Sequence, residues 1–208
     1  TDPTGNPLRL MLVHAHPDDE TTTTGATIAR YAAEGVGVEL VTCTLGERGE
    51  MLAPDLVTQL GDPDPDAAAR LLAAHREREL AQACQALGIG PARFLGGAGR
   101  WWDSGMAGEA GNRHGRALAA GDLAERAAEL VELIHTIRPQ VIVTYDQRGG
   151  YGHPDHIRAP DITLAGVDAA RSGWPVSRVY AAVVPRSAIL RGAELLSGSR
   201  MSGENPFA

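Results

Sequence analysis

Leu10-Met11-Leu12-Val13-His14-Ala15-His16-Pro17-Asp18-Asp19 decides the fold. Four apolar residues in a row read as a buried strand, and that strand runs straight into residues that bind metals or move protons. The tripeptide His16-Pro17-Asp18 returns as His153-Pro154-Asp155, again just past a strand-like stretch, residues 141–145. Each copy is followed by a side chain able to bind a metal, Asp19 after the first and His156 after the second. Of the seven histidines in the chain, His14, His16, His153 and His156 lie inside or beside these two segments. Such clustering at two strand ends points to one metal site, closed by two loops that meet at the edge of a sheet.

The spacing carries a physical reason. Proline suits the first turn of a helix, where its missing N–H would lack a partner anyway. His16 and Asp19 are three residues apart, as are His153 and His156, so each pair projects from one side of a helical turn. Two such turns facing each other let His16, Asp19 and His156 supply two imidazoles and a carboxylate. Positions left open for water and substrate mark a catalytic metal rather than a closed structural one. The positive ends of the helices favour ionised Asp18 and Asp19 and a neutral, ligating His156.

Outward from the motif, strand and helix patterns alternate. Strands are expected over 8–14, 36–44, 93–95 and 141–145. Helices are expected over 23–33, ending at Gly35, and over 67–87, ending at Gly88. A third, over 123–137, is capped by Asp122 and stopped by Pro139. Residues 54–65 read as a Pro-, Asp- and Gly-rich loop and 96–121 as a long glycine-rich segment. Residues 187–196 read as helical, and 198–208 have no clear pattern. Strands separated by helices of this length imply right-handed parallel crossovers. The expected fold is therefore an α/β, Rossmann-like three-layer sandwich with a mostly parallel sheet. Its active site belongs at the C-terminal strand ends, where both motif copies fall.

Composition narrows the function. At 208 residues the chain fits a single domain, taken as 1–208 with its C-terminal part incomplete. A net charge of -7 without a basic stripe argues against nucleic-acid or anionic-membrane partners. No apolar run is long enough to cross a bilayer. The polar residues 1–7 do not read as a secretion signal, and the missing initiator Met suggests a trimmed chain. Cys43 and Cys84 give no disulfide framework and fit reduced core thiols, so a cytoplasmic location is expected. Oligomeric state is not readable.

His14-Ala15-His16-Pro17-Asp18-Asp19-Glu20, taken with Gly149-Gly150-Tyr151-Gly152-His153-Pro154-Asp155-His156, resembles the metal-dependent N-acetylglucosaminyl deacetylases. Thr42-Cys43-Thr44-Leu45-Gly46-Glu47, Leu95-Gly96-Gly97-Ala98-Gly99-Arg100-Trp101 and Asp103-Ser104-Gly105-Met106 are similar to the mycothiol-pathway branch that deacetylates a GlcNAc-inositol. The resemblance implies His16, Asp19 and His156 as metal ligands, with Zn²⁺ as cofactor and Fe²⁺ also suited. It implies Asp18 as general base and His153 facing the oxyanion or leaving amine, with Asp155 as the orienting partner of His153. Tyr151 would polarise the amide carbonyl. Glu50, Arg76, Asp103 and Met106 would hold a small amino-sugar–inositol substrate. A carboxylate on the second nitrogen of His153 would favour its imidazolium form.

Rival readings share parts of this pattern. A mycothiol S-conjugate amidase uses the same metal chemistry on a larger amide. Two histidines and a carboxylate also serve Fe(II) oxygenases, although the doubly wound fold and the adjacent Asp18 argue against that class. A degenerate sugar-binding module would not need the whole set of Asp18, Asp19, His153 and His156. Arg76 and Glu79 are spaced to form an ion pair on one helix face.

Overall fold

The computed structural model describes residues 1–3, 5–50, 58 and 64–198. Five strands form one sheet: β1 (Arg9–His14), β2 (Gly37–Thr42), β3 (Arg93–Phe94), β4 (Val141–Tyr145) and β5 (Arg178–Ala182). Every pairing is parallel and the order is β3-β2-β1-β4-β5. The chain order reverses between β1 and β4, so a crevice opens there beyond their carboxyl ends. His14 and Tyr145 are the last residues of those two strands.

Among the described residues these helices accompany the sheet: α1 (Asp19–Ala33), α2 (Pro65–Ala86), α3 (Leu123–Ile137), the single turn α4 (Gly149–Gly152), α5 (Pro154–Ala170) and α6 (Arg186–Gly198). Alternation along the strands sorts them into layers. Leu10, Leu12, Val38 and Leu40 pack with Ile28 of α1 and with Leu80 and Cys84 of α2. Met11, Val13, Val41 and Ile142 pack on the opposite face with Leu130 and Ile134 of α3 and with Ala159 and Ile162 of α5. Burying one such side chain contributes about 1.5–3 kcal/mol, which fixes the strand register and, with it, the ends that carry the site. Helix α1 stops at Gly35 (φ 80) and α2 at Gly88 (φ 77), left-handed positions that glycine adopts without strain. Asp122 caps α3 by accepting the Ala124 N–H at 2.9 Å.

The three-layer parallel architecture agrees with the sequence expectation, with three differences. Helix α5 runs for 17 residues where only its opening turn was expected. Helix α1 begins at Asp19, four residues before the expected start, because its first turn is polar and carries no apolar period. Strand β5 was not expected; it is an edge strand whose Arg178-Val179-Tyr180-Ala181-Ala182 buries too little to leave a pattern. Most of the expected loop over 54–65, and residues 199–208, lie outside the described residues.

Candidate metal centre and active site

The two motif copies are built differently. After the second strand end, α4 turns the chain and His153 caps α5, its Nδ1 accepting the Asp155 N–H at 3.2 Å. Pro154 then occupies the first helical position, as the sequence suggests. In the first copy Pro17 stands ahead of the helix rather than in its first turn, and Asp18 is the flanking residue, at φ 107 and ψ −30. That conformation is costly for any residue but glycine. Local bonds hold it: Glu20 Oε2 accepts the Asp18 N–H at 2.9 Å, and Asp19 Oδ2 accepts the His16 N–H at 3.0 Å. Gly149 (φ 62) sits so close to α5 that a Cβ there would lie 2.6 Å from the His156 Cβ.

These turns bring the three expected ligands together. His16 Nδ1 and His156 Nε2 are 3.1 Å apart. Asp19 Oδ2 lies 3.3 Å from His156 Nε2 and 3.5 Å from His16 Nδ1. Bonds of about 2.0–2.1 Å in a tetrahedral zinc site put ligand atoms roughly 3.3 Å apart. The triangle matches that edge length, so the residues present fit a divalent ion with an open side. Two further sets of potential donors, each with its atoms within 4.8 Å of one another, share His16: His16 with His153 and His156, and His16 with Asp103 and Asp155.

The electrostatics point the same way. Burial works against charging Asp19, but the imidazoles of His156 and His16 hold its carboxyl well below the usual range. Burial likewise opposes a charged His16, yet Asp103, Asp155 and Asp19 raise its pKa well above normal. Acidic groups thus crowd a spot that calls for positive charge. Tyr145 supports the triangle from below. Its hydroxyl donates to Asp19 Oδ2 and accepts the Ala15 N–H, each at 2.7 Å, and its ring stacks on His156 at 4.3 Å.

An open cavity of about 610 Å³ leads to this cluster, lined among others by Asp18, Glu50, Arg76, Asp103, Met106, Tyr151 and His153. Glu50, Met106 and Tyr151 are exposed at its walls. The Arg76 guanidinium is turned inward. It pairs with the Asp18 carboxylate and donates to Pro17 O at 2.6 Å and Gly46 O at 3.1 Å. Glu79 pairs instead with His75 at 3.2 Å, so the helix-face Arg76–Glu79 pair does not form. Desolvation raises the Asp18 pKa and Arg76 opposes it. Asp103 is nearly sealed, its oxygens accepting the Gly105 and Arg48 N–H groups at 2.8 and 3.1 Å. One oxygen also faces His16 Nε2 at 3.5 Å and His153 Nε2 at 3.9 Å.

The Asp155 side chain is turned toward His16. Its carboxylate contacts His16 Nε2 at 3.2 Å and the Ser104 N–H at 2.9 Å, and it makes no side-chain bond to His153. The reason is local: as the helix cap, His153 already spends Nδ1 on the Asp155 backbone. Burial, then His16, lowers the His153 pKa, so its environment opposes rather than favours the imidazolium form. Neither Trp101 nor Trp102 belongs to the cavity lining. Trp101 is buried, donating to Glu129 at 2.5 Å, and Trp102 stacks with His114 at 4.9 Å. Sequence reasoning missed Tyr145 and Ser104. The signal for Tyr145 was a hydroxyl-bearing ring closing β4 opposite the first motif.

A Rossmann-order sheet with a histidine–aspartate cluster at its switch point is the class that fold and site define. A family profile described as GlcNAc-PI de-N-acetylase matches residues 11–167, and the chain belongs to that family. The chain is 56% identical over 224 residues to 1D-myo-inositol 2-acetamido-2-deoxy-alpha-D-glucopyranoside deacetylase 3 of Catenulispora acidiphila, covering 100% of this chain and 62% of the relative. It is 55% identical over 187 residues to the enzyme of the same name, without the numeral, from Acidothermus cellulolyticus, covering 90% of this chain and 62% of the relative. The chain therefore spans under two thirds of the length of these relatives. Among solved structures, a conserved protein from Thermus thermophilus superposes with a TM-score of 0.57 at 26% identity, over 86% of this chain and 68% of that one.

Proposed function

We propose that the protein hydrolyses the N-acetyl amide of 1-D-myo-inosityl 2-acetamido-2-deoxy-glucopyranoside, releasing acetate and the free amine, as a step of mycothiol biosynthesis. The observation that carries this reading is the triangle of His16 Nδ1, Asp19 Oδ2 and His156 Nε2, spaced at 3.1 to 3.5 Å beneath an open cavity. The names of the two relatives supply the substrate class.

His16, Asp19 and His156 would hold a divalent ion, with Zn²⁺ suited to two imidazoles and a carboxylate. When bound, such an ion supplies Lewis acidity, polarising the carbonyl and acidifying water. Asp18, beside the ligand set and facing the cavity, accepts the proton of the attacking water and returns it to the departing nitrogen. Arg76 keeps that carboxylate aimed. His153 Nδ1 accepts a backbone N–H, so the neutral ring carries its proton on Nε2 and donates from there to the oxyanion. A cation nearby would depress its pKa further, which makes a hydrogen-bonding role fit better than proton transfer. Tyr151 stands edge-on to His153 and His156 at the mouth, able to add a second donor. Glu50, Met106 and Asp103 line the wall that would receive the sugar and the inositol.

Acetate release from GlcNAc-inositol, measured with metal supplied and again after chelation, tests the reading. Metal-dependent release supports it. A metal-loaded protein that cleaves a thiol-conjugated amide but not GlcNAc-inositol would replace it with the amidase reading. Among the described residues no helix is long and apolar enough to cross a membrane.

A further inference from the structure

Ser104 lies behind the metal triangle and is fully enclosed. Both of its donors go to one carboxylate: its N–H reaches Asp155 Oδ2 at 2.9 Å and its Oγ reaches Asp155 Oδ1 at 2.5 Å. The direction of the hydroxyl is set, because Oγ also accepts the Ala119 N–H at 3.0 Å and so has its one proton to give. Asp155 is itself wholly buried, and the oxygen taken by the Ser104 N–H faces His16 Nε2 at 3.2 Å. The Ser104 loop is pinned in turn by Asn112, whose amide donates to Ser104 O at 2.6 Å and Met106 O at 3.1 Å.

This continuous line of contacts has a consequence for the ligand. A carboxylate accepting at Nε2 keeps that nitrogen protonated and leaves the Nδ1 lone pair free, on the side where Asp19 and His156 converge. Such partners behind a ligating histidine fix its tautomer and ring angle and raise its basicity.

We propose that Ser104 is a positioning residue for the metal centre: it clamps Asp155 so that Asp155 holds His16 with Nδ1 toward the ion. The inference rests on the metal-site reading above and deepens it by a residue outside the ligand set. Without the hydroxyl, Asp155 Oδ1 loses its donor inside a sealed site, so the carboxylate must turn or stay partly unpaired.

The test is Zn²⁺ affinity by chelator competition on the whole chain, for the unmodified protein, Ser104→Ala, Asp155→Asn and the double variant. Ser104→Ala is expected to bind about 10–100-fold more weakly. The double variant is expected to match Asp155→Asn alone, because the serine acts only through the aspartate. If Ser104→Ala does not fold, Ser104→Cys keeps a donor at that position, weaker and slightly bulkier, and is expected to fall between. Undiminished affinity in the folded serine variant, or full additivity in the double variant, overturns the proposal. An unmodified protein that fails to retain Zn²⁺ overturns the metal reading itself, a separate outcome.

Discussion

Tyr145→Phe removes a single oxygen from the floor of the site, and the structure sets the size of the effect. That hydroxyl makes two bonds of 2.7 Å, donating to Asp19 Oδ2 and accepting the Ala15 N–H. Burial, then the Asp19 charge, pushes its pKa well above normal, so it remains a protonated donor throughout the working range. A hydrogen bond to a charged group contributes about 1.5–3 kcal/mol, and an orphaned buried N–H costs about 1–3 kcal/mol. Asp19 keeps its bond from the His16 N–H at 3.0 Å, so the lower halves of those ranges apply. The metal-free variant should lose about 3 kcal/mol, a fall in Tm of about 6–12 °C for a chain of this size. On the proposed ligand set, in which Asp19 supplies the carboxylate, metal affinity should fall as well, about 10–100-fold. Paired thermal melts and chelator competition measure both. A Tm lowered by less than about 2 °C together with unchanged metal affinity would refute the role given to this hydroxyl.

Other perturbations test other parts of the site. Asp18→Asn should lower kcat about 10²–10⁴-fold while metal content stays full; loss of the metal would instead make Asp18 a ligand. The acid limb of kcat/KM should report Asp18, whose pKa desolvation raises and the Arg76 charge lowers. Arg76→Ala removes the opposing charge, so that limb should move to higher pH, and a shift to lower pH contradicts the pairing. Burial lowers the His14 pKa from 6.5 to about 4. The unfolded chain then binds the extra proton between those values, so stability is lost as pH falls from 6.5 to 4, by about 3 kcal/mol. His14→Gln should flatten the melting curve against pH across that window, and an unaltered slope would count against a neutral buried ring. Gly149→Ala adds a Cβ 2.6 Å from the His156 Cβ at a positive φ, and should weaken metal binding by displacing the start of α5; equal affinity would show that the helix can yield.

Much of the fold was legible because layers and periods agree. Leu10–Val13 is an unbroken apolar run and residues 141–144 are all apolar or β-branched, the pattern of strands inside a parallel sheet. The helices read out through Asp122, Gly35 and Gly88, whose backbone roles admit few other residues. Strand β5 escaped because an edge strand buries little, and the true start of α1 escaped because function occupies its first turn. In the site, the convergence of His16, Asp19 and His156 followed from their spacing in the two motif copies. The partners behind them did not. Whether Asp155 serves His153 or His16 depends on which nitrogen the helix cap has already taken, and that is a matter of angles. Arg76 showed as a charge on a helix face, but its partner Asp18 is 58 positions away and reaches it only through the unusual backbone of that residue.

One tripeptide therefore yields two different parts. In the first loop the helix begins after the aspartate, and the Asp18 side chain stays 61% accessible. In the second it begins before the aspartate, and Asp155 is shut in with no accessible surface at all. A shift of two residues in where coiling starts has turned a duplicated word into an open carboxylate at the cavity and an enclosed one. Lengthening either side chain by one methylene should accordingly be borne far better at Asp18 than at Asp155, where there is no room to absorb it.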